Sequence, residues 1–263
     1  MFKFGVIGYG KMGGAFASGV EDLFGKEKIA VFDKNAESIA RAKENGYAVM
    51  NSVSELVENS EIILVSVKPQ DLKEALSGLN AQGKTVVSIA AGVKIAQVSA
   101  LMAGAMVARV MPNTCATIKM CMSTVAFSDN FNESKKSVVF DILNTLGGFM
   151  EVSEPEIDDY LAVSGSFTAY AYLYLKKFAQ ATAARGCDFD KALILAAKTA
   201  QGAAEMILKG EKPVDNLIND VCSKGGTTIA GLNELDVECF EKAIDTCVNA
   251  CCDRSIELSK FAK

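Results

Sequence analysis

Short apolar runs alternate with amphipathic segments along the first half of the chain. The runs predict five β-strands, at Phe4–Ile7, Ile29–Phe32, Ile62–Val65, Thr85–Ile89 and Val107–Val110. The segments between them predict four helices, at Gly13–Leu23, Ala36–Asn45, Gln70–Leu79 and Lys94–Ala103. Alternation of strand and helix at this spacing is typical of an α/β domain with a parallel sheet and right-handed crossovers.

The strand pattern stops at about Glu151. Before that point, an apolar run at Met122–Phe127 and a helix from Glu133 to Leu146 complete the first domain. Beyond it the sequence predicts only helices, near Pro155–Arg185, Asp188–Lys209, Thr227–Leu235 and Val237–Lys260. We therefore expect an α/β domain at residues 1–151 and an all-helical domain at residues 152–263.

One predicted helical stretch, Phe167–Leu175, is apolar on almost every side. A helix of this kind is buried all round, and a small domain achieves that by packing against another chain. The pattern therefore favours an oligomer. A central helix in a monomeric bundle is the alternative.

Composition narrows the class of protein. Of the 263 residues, 50% are hydrophobic and 22% are charged, as in an ordinary globular protein. The net charge of -5 provides no basic surface for nucleic acid. The start of the chain lacks the pattern of a signal peptide. The longest uncharged stretch, Tyr160–Leu175, is shorter than the roughly 18 apolar residues of a membrane span. We expect a cytoplasmic protein.

The chain has eight cysteines, without a C-x-x-C pair, and no histidine. The usual mixed zinc sites and the Ser-His-Asp or Cys-His arrangements of hydrolases are therefore excluded, and we expect no metal site. A histidine proton donor, as in carbonyl-reducing dehydrogenases, is excluded too. Small buried thiols in a reducing compartment are the favoured interpretation, and a metal or redox pair of Cys247 and Cys251 is the alternative.

A glycine-rich motif follows the first predicted strand and opens the first helix. It reads Gly8-Tyr9-Gly10-Lys11-Met12-Gly13. In such G-x-G-x-x-G motifs the glycines allow a tight turn, close approach of a pyrophosphate and close packing of helix on strand. Asp33 lies twenty residues after the third glycine, at the end of the next strand. This combination predicts a dinucleotide site.

Asp33 also bears on the choice of cofactor. A carboxylate at this position accepts hydrogen bonds from the adenosine ribose diol and repels a 2′-phosphate, which favours NADH. Lys34 is adjacent and would soften that repulsion, unless it is a solvated surface charge. NADPH therefore stays open beside the favoured NADH.

Further segments make the chain similar to the pyrroline-5-carboxylate reductase family. They occur in the family's order and cover nearly the whole chain: Val67-Lys68-Pro69-Gln70, Ser88-Ile89-Ala90-Ala91-Gly92-Val93, Arg109-Val110-Met111-Pro112-Asn113-Thr114, Ser164-Gly165-Ser166 with Ala169-Tyr170, and Cys222-Ser223 with Gly225-Gly226-Thr227-Thr228-Ile229. Two positions depart from the family pattern. Phe167-Thr168 stands where Gly-Pro or Ser-Pro is usual, and Lys224 stands where proline is usual.

The resemblance implies a fold and an activity. The fold is an N-terminal Rossmann domain, with a doubly wound parallel sheet, followed by a C-terminal all-helical dimerisation domain. Homodimers of the family often assemble further into rings, so a decamer of dimers is one expectation. The activity is hydride transfer from NADPH or NADH to the C=N bond of 1-pyrroline-5-carboxylate, which gives L-proline in the last step of proline biosynthesis.

The resemblance also implies roles for individual residues. Cofactor-lining residues by motif are Ser66, Val67, Lys68, Pro69, Ile89, Ala90 and Ala91, with Asn113 near the nicotinamide. Substrate-facing residues are Glu211, Gly225, Gly226, Thr227 and Thr228. Backbone N–H groups at the start of the helix after the glycines would bind the substrate carboxylate. Capping of this helix by Thr227 is the alternative to carboxylate binding there. Thr228 is hypothesised to donate or relay a proton to the ring nitrogen.

Two other classes of protein remain as alternatives. One is a different Rossmann-fold oxidoreductase, either an imine reductase or a β-hydroxyacid dehydrogenase. The latter depends on a lysine in the second domain, and the chain has Lys176, Lys177, Lys191 and Lys198 there. The other class is a non-catalytic dinucleotide-sensing protein. The Gly-Gly-Thr-Thr segment favours the pyrroline-5-carboxylate reductase over both.

Overall fold

The computed structural model describes residues 1–235 and 237–259. The chain forms two compact units. The first comprises Met1–Ser166 together with the C-terminal stretch that begins at Ala250, and the second comprises Phe167–Asn249. The domain boundary predicted between residues 151 and 152 lies inside the first unit, because Ile157 and Leu161 still pack into its core.

The first unit is built on a sheet. The described strands are β1 (Phe2–Ile7), β2 (Ile29–Phe32), β3 (Ala48–Val49), β4 (Ser60–Val65), β5 (Leu79–Asn80), β6 (Thr85–Ser88), β7 (Met102–Ala103), β8 (Met106–Met111), β9 (Cys121–Phe127) and β10 (Gly147–Glu151). Eight of them form one sheet in the order β10-β9-β8-β6-β4-β1-β2-β3. All neighbours in this sheet are parallel except β8 and β9. The order from β3 to β8 is that of a Rossmann sheet.

Helices connect the strands and then continue alone. Those of the first unit are α1 (Lys11–Gly19), α2 (Glu21–Phe24), α3 (Ala36–Glu44), α4 (Val53–Asn59), α5 (Leu72–Leu76), α6 (Ile95–Leu101), α7 (Glu133–Asn144), α8 (Glu154–Asp159) and α9 (Leu161–Ser164). The second unit contains α10 (Phe167–Ala183), α11 (Phe189–Lys209), α12 (Val214–Asp220), α13 (Thr227–Glu234) and the first part of α14 (Val237–Ser259). None of the helices in the described ranges has the length and sustained apolar character that a bilayer span requires.

The sheet of the first unit is buried on both faces. On one face, Phe4 and Val6 pack with Phe16 of α1. On the other face, Ile63 and Val65 belong to a second apolar cluster. Helices that cover both faces of a parallel sheet explain why its strands appear in the sequence as continuous apolar runs.

The predicted α/β domain followed by helices is confirmed, and all five predicted parallel strands are present. The short elements β3, α4 and β10 are present in addition to those predicted. The predicted helix Pro155–Arg185 is divided into α8, α9 and α10. Helix α9 ends at Ser164 and α10 begins at Phe167, with Gly165 between them. Gly165 is closely packed, because an added Cβ would lie 3.1 Å from Leu161 Cδ1. The predicted last residue of the final helix, Lys260, lies outside the described residues.

All eight cysteines are free thiols. Cys121 is buried, but Cys187 and Cys239 are exposed. The expectation of buried thiols is therefore wrong for those two. Cys187 lies in the turn between α10 and α11. It directly follows Gly186, which has a φ of +92°. A turn of this kind has no apolar layer to cover the sulfur.

The second unit exposes much apolar surface. Helices α10 and α11 pack against each other, and the buried side chains recorded for them are Ala179 and Ala192. Their exposed large apolar residues are Phe167, Tyr172, Leu173, Tyr174, Phe178, Ile194, Leu195, Met206, Ile207 and Leu208. The stretch that is apolar on almost every side is thus largely exposed within a single chain.

Candidate active site

The glycine motif forms a tight turn between β1 and α1. Gly8 has a φ of +93°, which favours glycine, and a Cβ there would lie 2.8 Å from Ser66 O. A Cβ on Gly13 would lie 2.0 Å from Gly8 O, so the third glycine lets the helix pack directly on the turn. Gly10 has no atom within 4 Å of such a Cβ. The second glycine therefore leaves open space above the backbone.

The start of α1 suits an anion. Gly10 is the N-cap of this helix, and no side chain caps it. Uncapped N–H groups at a helix start, together with the helix dipole, attract negative charge. The turn, the open space and the free helix start fit the pyrophosphate of a dinucleotide.

Asp33 lies directly beside this turn. Its Oδ2 accepts the N–H of Tyr9 at 2.6 Å, and its Oδ1 accepts the N–H of Asn35 at 2.8 Å. The neighbouring Lys34 ammonium donates to Asp71 Oδ1 at 3.0 Å. This hydrogen bond raises the pKa of Lys34. A fixed negative charge therefore occupies the end of β2, and the adjacent cation has a carboxylate partner.

The ends of β4 and β6 supply the next predicted cofactor residues. Ser66 follows β4, and its hydroxyl donates to Gly8 O, so it braces the glycine turn. Val67, Lys68 and Pro69 follow it, and Ile89, Ala90 and Ala91 follow β6. The carboxyl ends of parallel strands form the edge at which ligands bind in open α/β sheets. The structure thus brings these predicted residues to one edge, next to the glycine turn.

Asn113 follows β8, and its side chain is already engaged. Its Oδ1 accepts the N–H of Cys115 at 3.0 Å, and its Nδ2 donates to Ser164 O at 2.7 Å. Its backbone N–H donates to Cys121 Sγ at 3.2 Å. These bonds fix the loop at the end of β8. Contact of Asn113 with a nicotinamide stays a prediction.

The predicted substrate residues belong to the second unit. Gly225 has a φ of +71°, and Gly226 is the N-cap of α13. No side chain caps this helix, so capping by Thr227 does not occur. Thr227 and Thr228 are exposed in its first turn, and Glu211 is exposed before α12. The start of α13 therefore offers free N–H groups and two hydroxyls to a ligand.

Comparison with known proteins identifies the family. The family model described as "Pyrroline-5-carboxylate reductase dimerisation" matches residues 154–258, and that described as "NADP oxidoreductase coenzyme F420-dependent" matches residues 3–92. A pyrroline-5-carboxylate reductase of Aquifex aeolicus is 32% identical over 248 residues, which cover 94% of each chain. The chain belongs to the pyrroline-5-carboxylate reductase family.

Other members of the pyrroline-5-carboxylate reductase family match over nearly the full length. The Arabidopsis thaliana protein is 33% identical over 98% of this chain and 96% of its own. The crystal structure of Plasmodium falciparum pyrroline carboxylate reductase with NADP bound has a TM-score of 0.87 and 27% identity, and covers 98% of both chains. The resemblance found in the sequence is confirmed, and the cofactor is a nicotinamide dinucleotide.

Sequence reasoning missed Arg41. Its Nη2 donates to Tyr9 O, and its guanidinium lies over the Tyr9 ring, 5.3 Å from the centroid. Arg41 holds the glycine turn from α3 and lines a cavity of about 580 Å³ beside that turn, together with Lys11 and Glu21. A basic residue eight positions after Asp33 on a predicted helix was the available signal. Its contact with Tyr9 joins residues 32 positions apart, so it depends on the tertiary structure.

Proposed function

We propose that this chain reduces the C=N bond of 1-pyrroline-5-carboxylate to give L-proline, the last step of proline biosynthesis. Family membership over nearly the full length supports the proposal. The observation that carries it is the uncapped start of α13, where Gly225 and Gly226 precede two exposed threonines. This arrangement suits a small anionic substrate.

The chemistry suits a chain without histidine. Reduction of a ketone leaves an alkoxide that needs a strong acid, whereas reduction of a protonated imine neutralises a cation. The nicotinamide supplies the hydride. The protein has to hold the imine carbon in place, which is mainly a task of proximity and orientation. In the proposal, N–H groups at the start of α13 bind the carboxylate. The Thr228 hydroxyl donates or relays a proton to the nitrogen of the neutral imine and regains one from water, and the hydride is then added to the protonated ring.

We propose NADH as the preferred cofactor. Asp33 accepts the N–H groups of Tyr9 and Asn35, which would otherwise be free to bind an additional phosphate. Its carboxylate would accept hydrogen bonds from a ribose diol and repel a 2′-phosphate. Lys34 is directed to Asp71, which limits its use as a phosphate ligand.

We propose that the chain works as a homodimer in the cytoplasm. The dimerisation family model and the exposed apolar residues of α10 and α11 support the dimer. Assembly of dimers into a decamer stays an expectation from the family. The eight free thiols are in keeping with a reducing compartment.

A steady-state assay tests the activity. The purified protein is given 1-pyrroline-5-carboxylate with NADH or NADPH in parallel, and separately hydroxyacid and ketoacid pairs. We expect turnover with 1-pyrroline-5-carboxylate, called the imine acid below. The value of kcat/KM should be higher with NADH than with NADPH. Turnover only with a hydroxyacid pair would indicate a β-hydroxyacid dehydrogenase. Cofactor binding without turnover of any substrate would indicate a dinucleotide-sensing protein.

A further inference from the structure

Arg109 is a buried cation that the proposed chemistry does not use. It lies in β8 with 2% of its side chain exposed. Its Nη2 donates to Asp158 Oδ1 at 2.5 Å, and its Nη1 donates to Asp158 Oδ2 at 3.2 Å. Glu154 Oε1 lies 3.6 Å from Nη1. The guanidinium therefore binds one carboxylate through two parallel hydrogen bonds and has a second carboxylate nearby.

The two carboxylates also bind other elements. Glu154 Oε1 accepts the N–H of Ile95, the first residue of α6, at 2.6 Å. Asp158 Oδ1 accepts the hydroxyl of Ser255 in α14 at 3.1 Å, and Ser255 is itself 2% exposed. Arg109 is thus the buried centre of a partly buried cluster that joins β8, α6, α8 and α14.

Three members of this cluster, Glu154, Asp158 and Ser255, lie on the two stretches through which the chain leaves and re-enters the first unit. We call Glu154–Ser166 the outgoing segment and the described residues from Ala250 to Ser259 the returning segment. The segments meet again where Ser166 Oγ lies 3.2 Å from Cys251 Sγ. Asn113 holds the outgoing segment through its bond to Ser164 O. Both crossings of the chain are therefore attached to the sheet.

We propose that Arg109 and Asp158 are positioning residues that fix the two crossing segments. The inference rests on the proposed function, because Glu211 and the start of α13 belong to the unit that the chain enters and leaves through these segments. A bidentate arginine–carboxylate pair fixes direction as well as distance. An apolar side chain in place of Arg109 would fill the same space but would not fix the orientation of Asp158.

The cofactor residues and the substrate residues should therefore respond differently to a change in the cluster. The predicted cofactor residues follow β1, β2, β4 and β6, and only Asn113 follows β8, the strand that carries Arg109. The predicted substrate residues lie in the second unit, which the chain enters and leaves through the crossing segments. Loosening the cluster should weaken catalysis and substrate use while NADH binding stays unchanged.

The experiment uses the full chain and a matched pair of variants. Arg109→Lys keeps the charge but loses the two parallel hydrogen bonds. The control Arg254→Lys replaces an exposed arginine that makes one hydrogen bond, to Glu257 Oε2. Ser255→Ala removes one contact without leaving a buried charge unpaired, should Arg109→Lys fail to fold. The measurements are the NADH Kd from cofactor fluorescence, kcat and KM for the imine acid, and amide hydrogen exchange.

We expect Arg109→Lys and Ser255→Ala to lower kcat/KM for the imine acid at least about fivefold, with the NADH Kd within about twofold of wild type. Exchange should become faster in both crossing segments, and Arg254→Lys should behave as wild type. Unchanged exchange in those segments would overturn the inference without reference to activity. Faster exchange with unchanged kcat/KM in an active enzyme would overturn the positioning role. An inactive wild type would instead contradict the proposed function.

Discussion

Asp33 is held beside the glycine turn by two backbone N–H groups, those of Tyr9 and Asn35. A side chain fixed in this way keeps its charge in one place instead of moving aside when a ligand arrives. Two unit charges about 4 Å apart interact by about 4 kcal/mol at an effective dielectric constant of about 20. A carboxylate here is therefore strong enough to decide between two cofactors that differ by one phosphate.

The first prediction concerns this carboxylate. Asp33→Ser should shift the ratio of kcat/KM for NADPH over NADH by at least about tenfold towards NADPH, which is about 1.4 kcal/mol. The reason is the removal of repulsion towards a 2′-phosphate. Parallel titrations with both cofactors measure it, with Asp129→Asn as a control at an exposed aspartate. An unchanged ratio would show that Asp33 does not select the cofactor.

The second prediction concerns Thr228. Thr228→Ala should lower kcat about tenfold to a hundredfold, because a positioned proton donor contributes about a hundredfold or more and a protonated imine makes a smaller demand. Thr228→Ser should keep most of the activity, and the NADH Kd should not change. Thr246→Ala removes an exposed hydroxyl in the same unit and serves as the control. Full turnover in Thr228→Ala would remove the proposed role.

At the scale of elements, the contact between β1 and α1 sets the shape of the cofactor site. Gly13 and Gly14 are neighbours in one helix but face different surroundings. A Cβ on Gly13 would meet Gly8 O at 2.0 Å, whereas one on Gly14 would meet only the Tyr9 ring, at 3.8 Å. The two positions therefore form a matched pair for substitution.

The third prediction uses that pair. Gly13→Ala should displace the glycine turn, raise the NADH Kd more than about tenfold and lower the free energy of unfolding by about 1–3 kcal/mol, the usual cost of overpacking. Gly14→Ala should leave the Kd nearly unchanged and raise stability by about 0.5–1 kcal/mol, because alanine suits a helix better than glycine. Cofactor titration and urea unfolding measure both. Equal effects of the two substitutions would contradict the packing argument.

At the same scale, length explains which elements could be predicted. β1 and β4 are each buried over four consecutive residues, so their apolar runs are plain in the sequence. β3 has two residues, and β10 begins with two glycines that resemble a turn. Such strands exist because the preceding strand already provides hydrogen-bonding partners, as β9 does for β10. The residues of the short strands themselves carry no pattern that indicates this hydrogen bonding.

At the scale of the whole molecule, the described residues of the second unit bury few of their large apolar side chains. Leu195 is 68% exposed and Leu173 is 56% exposed, although both lie in long helices of apolar composition. Apolar surfaces of this extent mark sites of protein association. The dimerisation family model covers the same residues. The proposed dimer would cover this surface.

The fourth prediction follows from this surface. Leu195→Lys should convert the dimer into monomers at micromolar concentration, because it places an unpaired charge in an apolar interface. Light scattering after gel filtration measures the mass. Leu23→Lys makes the same change on the first unit, where the side chain is 42% exposed, and should leave the mass unchanged. A Leu195→Lys protein with the wild-type mass would exclude that residue from the interface.

The sequence by itself determined the α/β domain, the helical region, the dinucleotide turn and the family. Each is recognised from periodic patterns or short motifs, whose residues lie close together in the chain. Only the tertiary structure decided that Asp33 binds Tyr9, 24 positions away, and that Asp158 joins Arg109 to Ser255, 49 and 97 positions away. Periodicity and motif spacing describe a helix turn or a strand, which is a few residues long. Contacts between distant segments depend instead on how whole elements pack, and a buried charge such as Arg109 gains its partners only then.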